Sequence, residues 1–543
     1  MKALFSYSLL SFLVSILLYL YCAEMSGQAS YIAFLQCLND QSDHLYPISE
    51  LLFTPENSSY TSILQLGLRN LRFTSPEFLK PLVIVTPVHE SQIQSVVNCA
   101  REHRVHIRIR CGGHDFEGLS YTARVPFVMI DMINLQSVDV DLENNSAWVQ
   151  GGANIGEVYY RIAKKSSILG FPGGVRGTVG VTGLISGGGY GAMVRKYGLA
   201  ADNVIDVRMI NVNGEILDRK SMGEDLFWAI RGGIASSFGI IVAWNLKLVA
   251  VPETVTIFSV ARTLEQGATD LVHQWQYVAP KIDRDLYIRI QIKAVNLNQD
   301  GSKRTIVVSF ESLFLGGVDK LLSIMQISFP ELDLVKDDCR EVSWLKSCLW
   351  FAGNSAFRFG ESDELLLNRS LIPYLFYKAK SDYVQEPISK EGFQMIWKKY
   401  FELEAGAANI LMTPYGGKMD EFSASELPFP HRAGNLYMMY NGVSWQANTS
   451  RDEQLKRLNW LKSLYNDLAP YVSKNPRTAY VNYNDLDLGI GSLTYEEASQ
   501  CGFKYFGINF ERLVRVKTLV DPDNFFNHEQ SIPAFPSLSK DEL

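Results

Sequence analysis

The stretch "RIRCGGHDFEG", Arg108 to Gly118, sets the terms of the fold. An apolar, strand-like run leads into two glycines, and a histidine follows them directly. Glycine admits positive φ and close backbone approach, so successive N–H groups can face an anion. Two more glycine clusters follow: "GFPGGVRGTVGVTGLISGGGYG", Gly170 to Gly191, and "RGGIASSFG", Arg231 to Gly239. None is a G-x-G-x-x-G between a strand and a helix of a clean βαβ unit, and none is a G-x-x-x-x-G-K-[ST]. A Rossmann or P-loop nucleotide site is therefore disfavoured. A single cluster reads as a tight turn; three so close together point to a large phosphate-bearing ligand.

Working outward, residues from about Lys80 to Val251 alternate short β-type runs with helical segments. "PLVIVTP", "VPFVMIDM", "SAWVQGG" and "VIDVRMINVNGEIL" are strand-like and rich in β-branched residues. "ESQIQSVVNCAREH" has Ile93, Val96, Val97 and Ala100 on one helical face. From Thr254 to about Val472, strand candidates "TIFSVAR", "LYIRIQIKAV" and "TIVVSFESLF" precede longer amphipathic helices, the pattern of an α+β layer. From Pro476 to Pro533 the text is loop-rich, polar and aromatic.

The 543 residues exceed one ordinary domain, and 47% hydrophobic with 20% charged residues can fill a large core. The net charge of −7 argues against a nucleic-acid partner. An apolar run from Leu4 to about Ala23 after one lysine reads as a signal peptide of residues 1–23, with a membrane anchor as the alternative. Six cysteines remain after it, none in C-x-x-C spacing, so no metal site is expected. Sequons stand at Asn57, Asn144, Asn368 and Asn448. The chain closes on Lys540-Asp541-Glu542-Leu543, an ER-retrieval address. These features place the protein in the secretory pathway: the ER lumen or ER-derived vesicles, with the vacuole as alternative. No stable membrane insertion is expected after cleavage.

"RCGGHDFEGLSY", "GLISGGGYGAMVRKYGLAADNV", "GEDLFWAIRGG", "PFPHRAG", "NYNDLDLG" and "VDPDNFFNHEQSIP" together resemble the plant berberine-bridge-enzyme-like flavoproteins. These are FAD proteins of the vanillyl-alcohol-oxidase (PCMH) type, and the cannabinoid synthases are among them. The resemblance covers nearly the whole mature chain. It implies an α+β architecture with a two-subdomain FAD domain (30–251, core 77–251). A substrate domain on a helix-covered antiparallel sheet (252–474) is inserted, and a segment (475–535) returns to the FAD domain. A disulfide between Cys37 and Cys99 is implied as well; a monomer is expected.

The resemblance assigns roles residue by residue. His114 matches the histidine bonded to the flavin 8α-carbon, and the backbones of Cys111, Gly112, Gly113 and Asp115 match the pyrophosphate cradle. Thr178, Gly180, Gly183, Gly187, Gly188, Gly189, Tyr190, Gly239, Ile240, Asn524 and Phe526 match other cofactor-binding positions. Two departures stand out. Arg176 replaces the cysteine that makes a second flavin bond in many members, which implies attachment through His114 alone. Leu184 replaces a histidine near the flavin's polar edge. Arg176 is either a fixed positive charge near the ring or a solvent-facing loop residue. Val179 matches an oxygen-gating position and implies O₂ as the oxidant, with hydrogen peroxide released. The third cluster has Ile234, Ala235, Ser236 and Ser237 where relatives carry more glycine, so φ-permissive positions are lost.

Alkaloid-cyclising members take a glutamate from the substrate-domain strand, but "NLYMMYNGVSW", Asn435 to Trp445, holds no carboxylate. Met438 and Tyr440 are the candidate substrate residues there, and Tyr440 is also a candidate base. Tyr483 matches the tyrosine base of the cannabinoid-type members, and a phenol of pKa ~10 needs a nearby cation to act near neutral pH. Hydride loss beside an amine nitrogen needs no base, so the expected reaction is alkaloid oxidation to an iminium ion. Aromatic residues would wall in the substrate. The alternatives are oxidation of carbohydrates or cannabinoid-type phenolic acids with Tyr483 as base, or a non-redox flavoprotein that binds or cyclises a ligand.

Overall fold

The structure is a computed structural model that describes residues 29–535 apart from 44, 354–360, 372–373, 405 and 492–493. The apolar leader and the terminal Lys540-Asp541-Glu542-Leu543 lie outside the described residues. Among the described residues, no helix is long and apolar enough to cross a membrane.

Three sheets carry the architecture. The first is four-stranded, in the order Leu52–Phe53, Val83–Val85, Phe127–Asp131, His106–Arg110, and its last three strands are parallel. Val83–Val85 and the first four residues of Phe127–Asp131 are apolar at every position because both faces are covered. One cover is the Glu90–Glu102 helix, whose Ile93, Val96, Val97 and Ala100 are all fully buried. The Gln92 side chain accepts the His89 N–H and closes the start of that helix. Cys99 on it is disulfide-bonded to Cys37 in the helix over residues 29–40.

The second sheet is antiparallel and five-stranded: Val138–Asp141, Ser146–Gln150, Ile240–Lys247, Val204–Ile210, Ile216–Leu217. It meets the first through one apolar cluster that joins Val83, Val85, Val128 and Ile130 to Ile210, Ile240 and Val242. Phe526, from the end of the chain, belongs to the same cluster.

The third sheet is antiparallel and seven-stranded: Cys339–Val342, Val255–Thr263, Arg304–Phe314, Leu286–Asn296, Ala408–Pro414, Tyr437–Trp445, Phe376–Val384. Its strands alternate with period two. In "LYIRIQIKAVN", Leu286, Ile288, Ile290, Ile292 and Ala294 pack under the helices Ala268–Val278, Val318–Ser328, Lys390–Phe401 and Arg451–Asp467. The intervening residues face inward and are polar or aromatic: Tyr287, Arg289 and Gln291. The same alternation puts Asn409, Leu411 and Thr413 inward from the next strand and Tyr440 from the one after. A half-polar sheet face is stable only against a layer that uses it, and that layer is the two-sheet unit with a cavity between.

Candidate active site

The cavity is about 470 Å³, within the usual range for small-molecule sites. One end is made by "RIRCGGHDFEG". The His106–Arg110 strand delivers the chain to Gly113, which has φ +66 and no room for a side chain: a Cβ would stand 1.6 Å from the Gly67 carbonyl oxygen. This turn sends His114 into the cavity, where its Nε2 lies 2.9 Å from Thr178 Oγ1. Burial, then the charges of Arg69 and Arg176, hold the imidazole down at a pKa of about 3, so it is neutral. Burial pushes the neighbouring Cys111 thiol up to about 12, which leaves it inert. Asp115 faces the cavity, but one carboxylate oxygen accepts the Glu117 and Leu119 N–H groups, and Asn484 donates to the same carboxylate. Arg108 is neutralised by Glu529 at 2.7 Å.

A second wall is phenolic. Tyr190, Tyr377, Tyr440, Tyr480 and Tyr483 line it with Phe116 and Phe351. Tyr483 lies at the centre, with ring centroids 5.0 Å from Phe116, 5.1 Å from Tyr440 and 5.2 Å from Tyr480. Its hydroxyl is hydrogen-bonded to that of Tyr190. Burial raises the pKa of both phenols. That hydrogen bond, Arg176 and Arg289 all pull Tyr483 back down, while the same hydrogen bond pushes Tyr190 further up. Either phenol, when ionised, accepts that hydrogen bond from the other. Arg289 is fixed by Glu311, 2.6 Å away on the adjacent strand. Arg176 lines the cavity, half-buried, and is not a solvent-facing loop residue.

Three cavity aromatics are anchored by one buried ion network. Lys378 pairs with Glu117 and with Asp485 at 2.5 Å, and Lys380 pairs with Asp485 and Asp487. Glu117 follows Phe116, Lys378 follows Tyr377, and Asp485 is two residues from Tyr483. Three separated segments are held in register around the phenols by these charges.

Of the residues singled out in the sequence, Cys111, Gly112, Gly113, His114, Asp115, Arg176, Val179, Gly180, Gly183, Leu184, Gly187, Tyr190, Gly239, Tyr440, Tyr483 and Phe526 converge on this one cavity. Thr178 stands behind His114 and holds it. Gly188 and Gly189 form the turn behind the wall, where the Gly189 N–H donates to the Tyr480 hydroxyl at 3.1 Å. Ile240 is buried between the first two sheets, and Asn524 occupies a turn at φ +52. Met438 does not reach the cavity. It points to the right face of its strand but is packed in the core with Tyr383 and Leu427. Sequence reasoning missed Arg69, Arg289 and Gln291. For the last two a signal existed: polar residues at every second position of "LYIRIQIKAV".

The residues fit a flavin dinucleotide. Gly183 sits inside a helix, where glycine costs stability, yet nothing stands within 4 Å of where its Cβ would be. That space opens into the cavity and suits a flat ring lying against the helix. The Ser120 hydroxyl, also on the lining, is buried with no partner in the protein.

Mixed and antiparallel sheets, a glycine-turn histidine and a phenolic chamber facing a helix-backed sheet together define a flavin-dependent oxidoreductase. Comparison with known proteins makes this specific. Residues 81–219 match the FAD binding domain family, and residues 479–533 match the berberine and berberine-like family. The tetrahydroberberine oxidase of Berberis wilsoniae is 50% identical over 517 residues, covering 94% of this chain and 96% of that one. The monolignol oxidoreductase AtBBE-like 13 of Arabidopsis thaliana is 47% identical over 504 residues, 92% and 93% of the two chains. The solved structure of BBE-like #28 from Arabidopsis thaliana superposes with a TM-score of 0.86 at 46% identity, covering 93% of this chain and all of that one. The chain belongs to the berberine bridge enzyme-like family of FAD-dependent oxidoreductases.

Proposed function

We propose that this protein is an oxidase that removes a hydride from the carbon beside an amine nitrogen of an alkaloid, leaving an iminium ion, with O₂ reduced to hydrogen peroxide. The observation that carries this reading is the absence of a free carboxylate. Among the described lining residues the only acid is Asp115, and its oxygens are already engaged. Loss of hydride beside nitrogen is driven by the lone pair and transfers no proton to the protein. Arg176 and Arg289 disfavour a second cation in the chamber, so they favour the free base, the only form with that lone pair. The aromatic walls suit a flat polycycle. The 50% identity to a tetrahydroberberine oxidase supports the same class.

Bound FAD supplies the hydride acceptor and the centre that O₂ reoxidises. His114, neutral and with Nε2 turned to Thr178, offers its other ring nitrogen for a covalent tether. Arg176 has no thiol, so the tether is single. Acid-precipitated protein should stay yellow, with FAD mass on the peptide containing His114 and none on the one containing Arg176. The exposed positions of Asn57, Asn144, Asn368 and Asn448 and the Cys37–Cys99 disulfide support passage through the secretory pathway, to the ER lumen or ER-derived vesicles or to the vacuole.

A second reading, alcohol or phenol oxidation with Tyr483 as base, is favoured by one observation. Burial raises the Tyr483 phenol, but Tyr190, Arg176 and Arg289 all act against that rise and would support its ionised form. The monolignol oxidoreductase relative fits it. The deciding experiment mixes oxidised holoenzyme anaerobically with a tetrahydroprotoberberine amine, a cinnamyl-type alcohol or glucose and follows flavin bleaching. Bleaching by the amine, rising with pH through the amine's own pKa, is expected; bleaching only by the alcohol or the sugar would sink the alkaloid reading. With the amine, Tyr483→Phe should cost less than about tenfold in the reduction rate. A general base would cost about 10²–10⁴-fold.

A further inference from the structure

Among the described residues four arginines line the cavity, and two of them are satisfied: Arg108 by Glu529 and Arg289 by Glu311. The other two are not. Arg69 is 6% exposed, and its Nε and Nη1 are buried without a partner. Its Nη2 donates to the Arg369 carbonyl, and its guanidinium lies 4.9 Å from the centroid of the Tyr374 ring. Arg176 makes no hydrogen bond or ion pair among the described residues. Gly113 abuts the Gly67 carbonyl, two residues from Arg69, and His114 is hydrogen-bonded to Thr178, two residues from Arg176, so both arginines come from segments packed against the His114 turn. A buried guanidinium with unmade hydrogen bonds is costly, so Arg69 marks the place of a missing partner, and Arg176 offers a second, half-buried fork on the same lining.

We propose that Arg69 and Arg176 form an anion subsite at the His114 end of the cavity, which takes a carboxylate or phenolate oxygen of the substrate. The guanidinium fork matches such an oxygen pair with charge-assisted bonds. The substrate then carries an acidic group on the part remote from the carbon that is oxidised, and the aromatic chamber holds the rest. This rests on the reading of the cavity as a chamber shared by flavin and substrate, but not on the amine. The cofactor's diphosphate is the other possible source of an anion at Arg69, and the test separates the two.

Wild-type holoenzyme, Arg69→Met and Arg176→Gln are titrated with benzoate, with the flavin spectrum as readout and flavin content measured for each. Benzoate should perturb the wild-type spectrum and compete with substrate, and each variant should bind it about tenfold more weakly or worse with its flavin content unchanged. Absence of benzoate binding to wild type, or equal binding to all three proteins, overturns the subsite. A fall in the flavin content of Arg69→Met assigns that side chain to the diphosphate and overturns it too. Arg176→Gln, on a half-exposed loop, keeps the test decisive if Arg69→Met fails to fold. Because benzoate carries no amine, failure here leaves the alkaloid reading standing, and failure of the amine to reduce flavin leaves the subsite standing.

Discussion

Ile234 holds a backbone conformation that its side chain resists. Its φ is +64, left-handed, and a β-branched residue there crowds its own carbonyl. The turn persists because its surroundings dictate it: the Ile234 N–H donates to the Ser186 carbonyl at 2.9 Å, and the side chain lines the cavity. The loss of glycine from this cluster was legible in the sequence, but not that the turn would survive it as strain. Ile234→Asn, which tolerates that φ, should stabilise the apoprotein by about 1 kcal/mol in urea unfolding. A destabilised variant would show that the packing of the isoleucine outweighs its strain. His114 and Tyr483 were legible because their motifs are local. Arg69 was not, since nothing in "LGLRNLRF" separates a buried arginine from a surface one. Met438 was misread because strand alternation gives the face but not the depth along it.

Among elements, the paired strands Leu286–Asn296 and Arg304–Phe314 show what a polar inner face demands. Arg289 and Glu311 sit directly opposite each other in the register, both buried. Glu311→Gln removes the charge but keeps the shape, leaving Arg289 charged and unpaired in a dry place. It should cost about 3–5 kcal/mol in denaturant unfolding, and Arg289→Met added to it should recover much of that loss. A cost below about 1 kcal/mol would mean that water reaches the pair. The strands themselves were readable from β-branched runs, and the Glu90–Glu102 helix with its buried face was readable from spacing. The order of the seven strands was not, because pairing partners as distant as Phe376–Val384 and Tyr437–Trp445 leave no local signal.

Across the whole molecule, His431 joins the seven-stranded sheet to the helix Tyr495–Phe506. It stacks on Tyr383 at 3.9 Å, and its Nε2 meets the Tyr505 carbonyl at 3.1 Å. Burial lowers its pKa to about 3. Its unfolded value is ~6.5, so the unfolded chain binds the extra proton between those limits. The stability that depends on a neutral His431 is full above pH ~6.5 and is lost as pH falls below it. Against His431→Gln, the wild type should therefore lose ground by up to about 1.4 kcal/mol per pH unit below that point. Urea unfolding of both proteins from about pH 7.5 to about 5 reads this directly, and a constant gap would refute it. Titrating carboxylates common to both proteins cancel in the difference.

The ion network around Lys378 also bears on how the chain is made. A ribosome delivers Glu117 first, Lys378 much later and Asp485 later still, so Glu117 and Lys378 each wait for a partner not yet translated. The two lysines of the edge strand cannot leave water before Asp485 has emerged. The phenolic chamber therefore cannot close on a nascent chain that has not yet reached Asp485. Flavin capture in a closed chamber becomes an event that follows the synthesis of Asp485, when all three segments can meet.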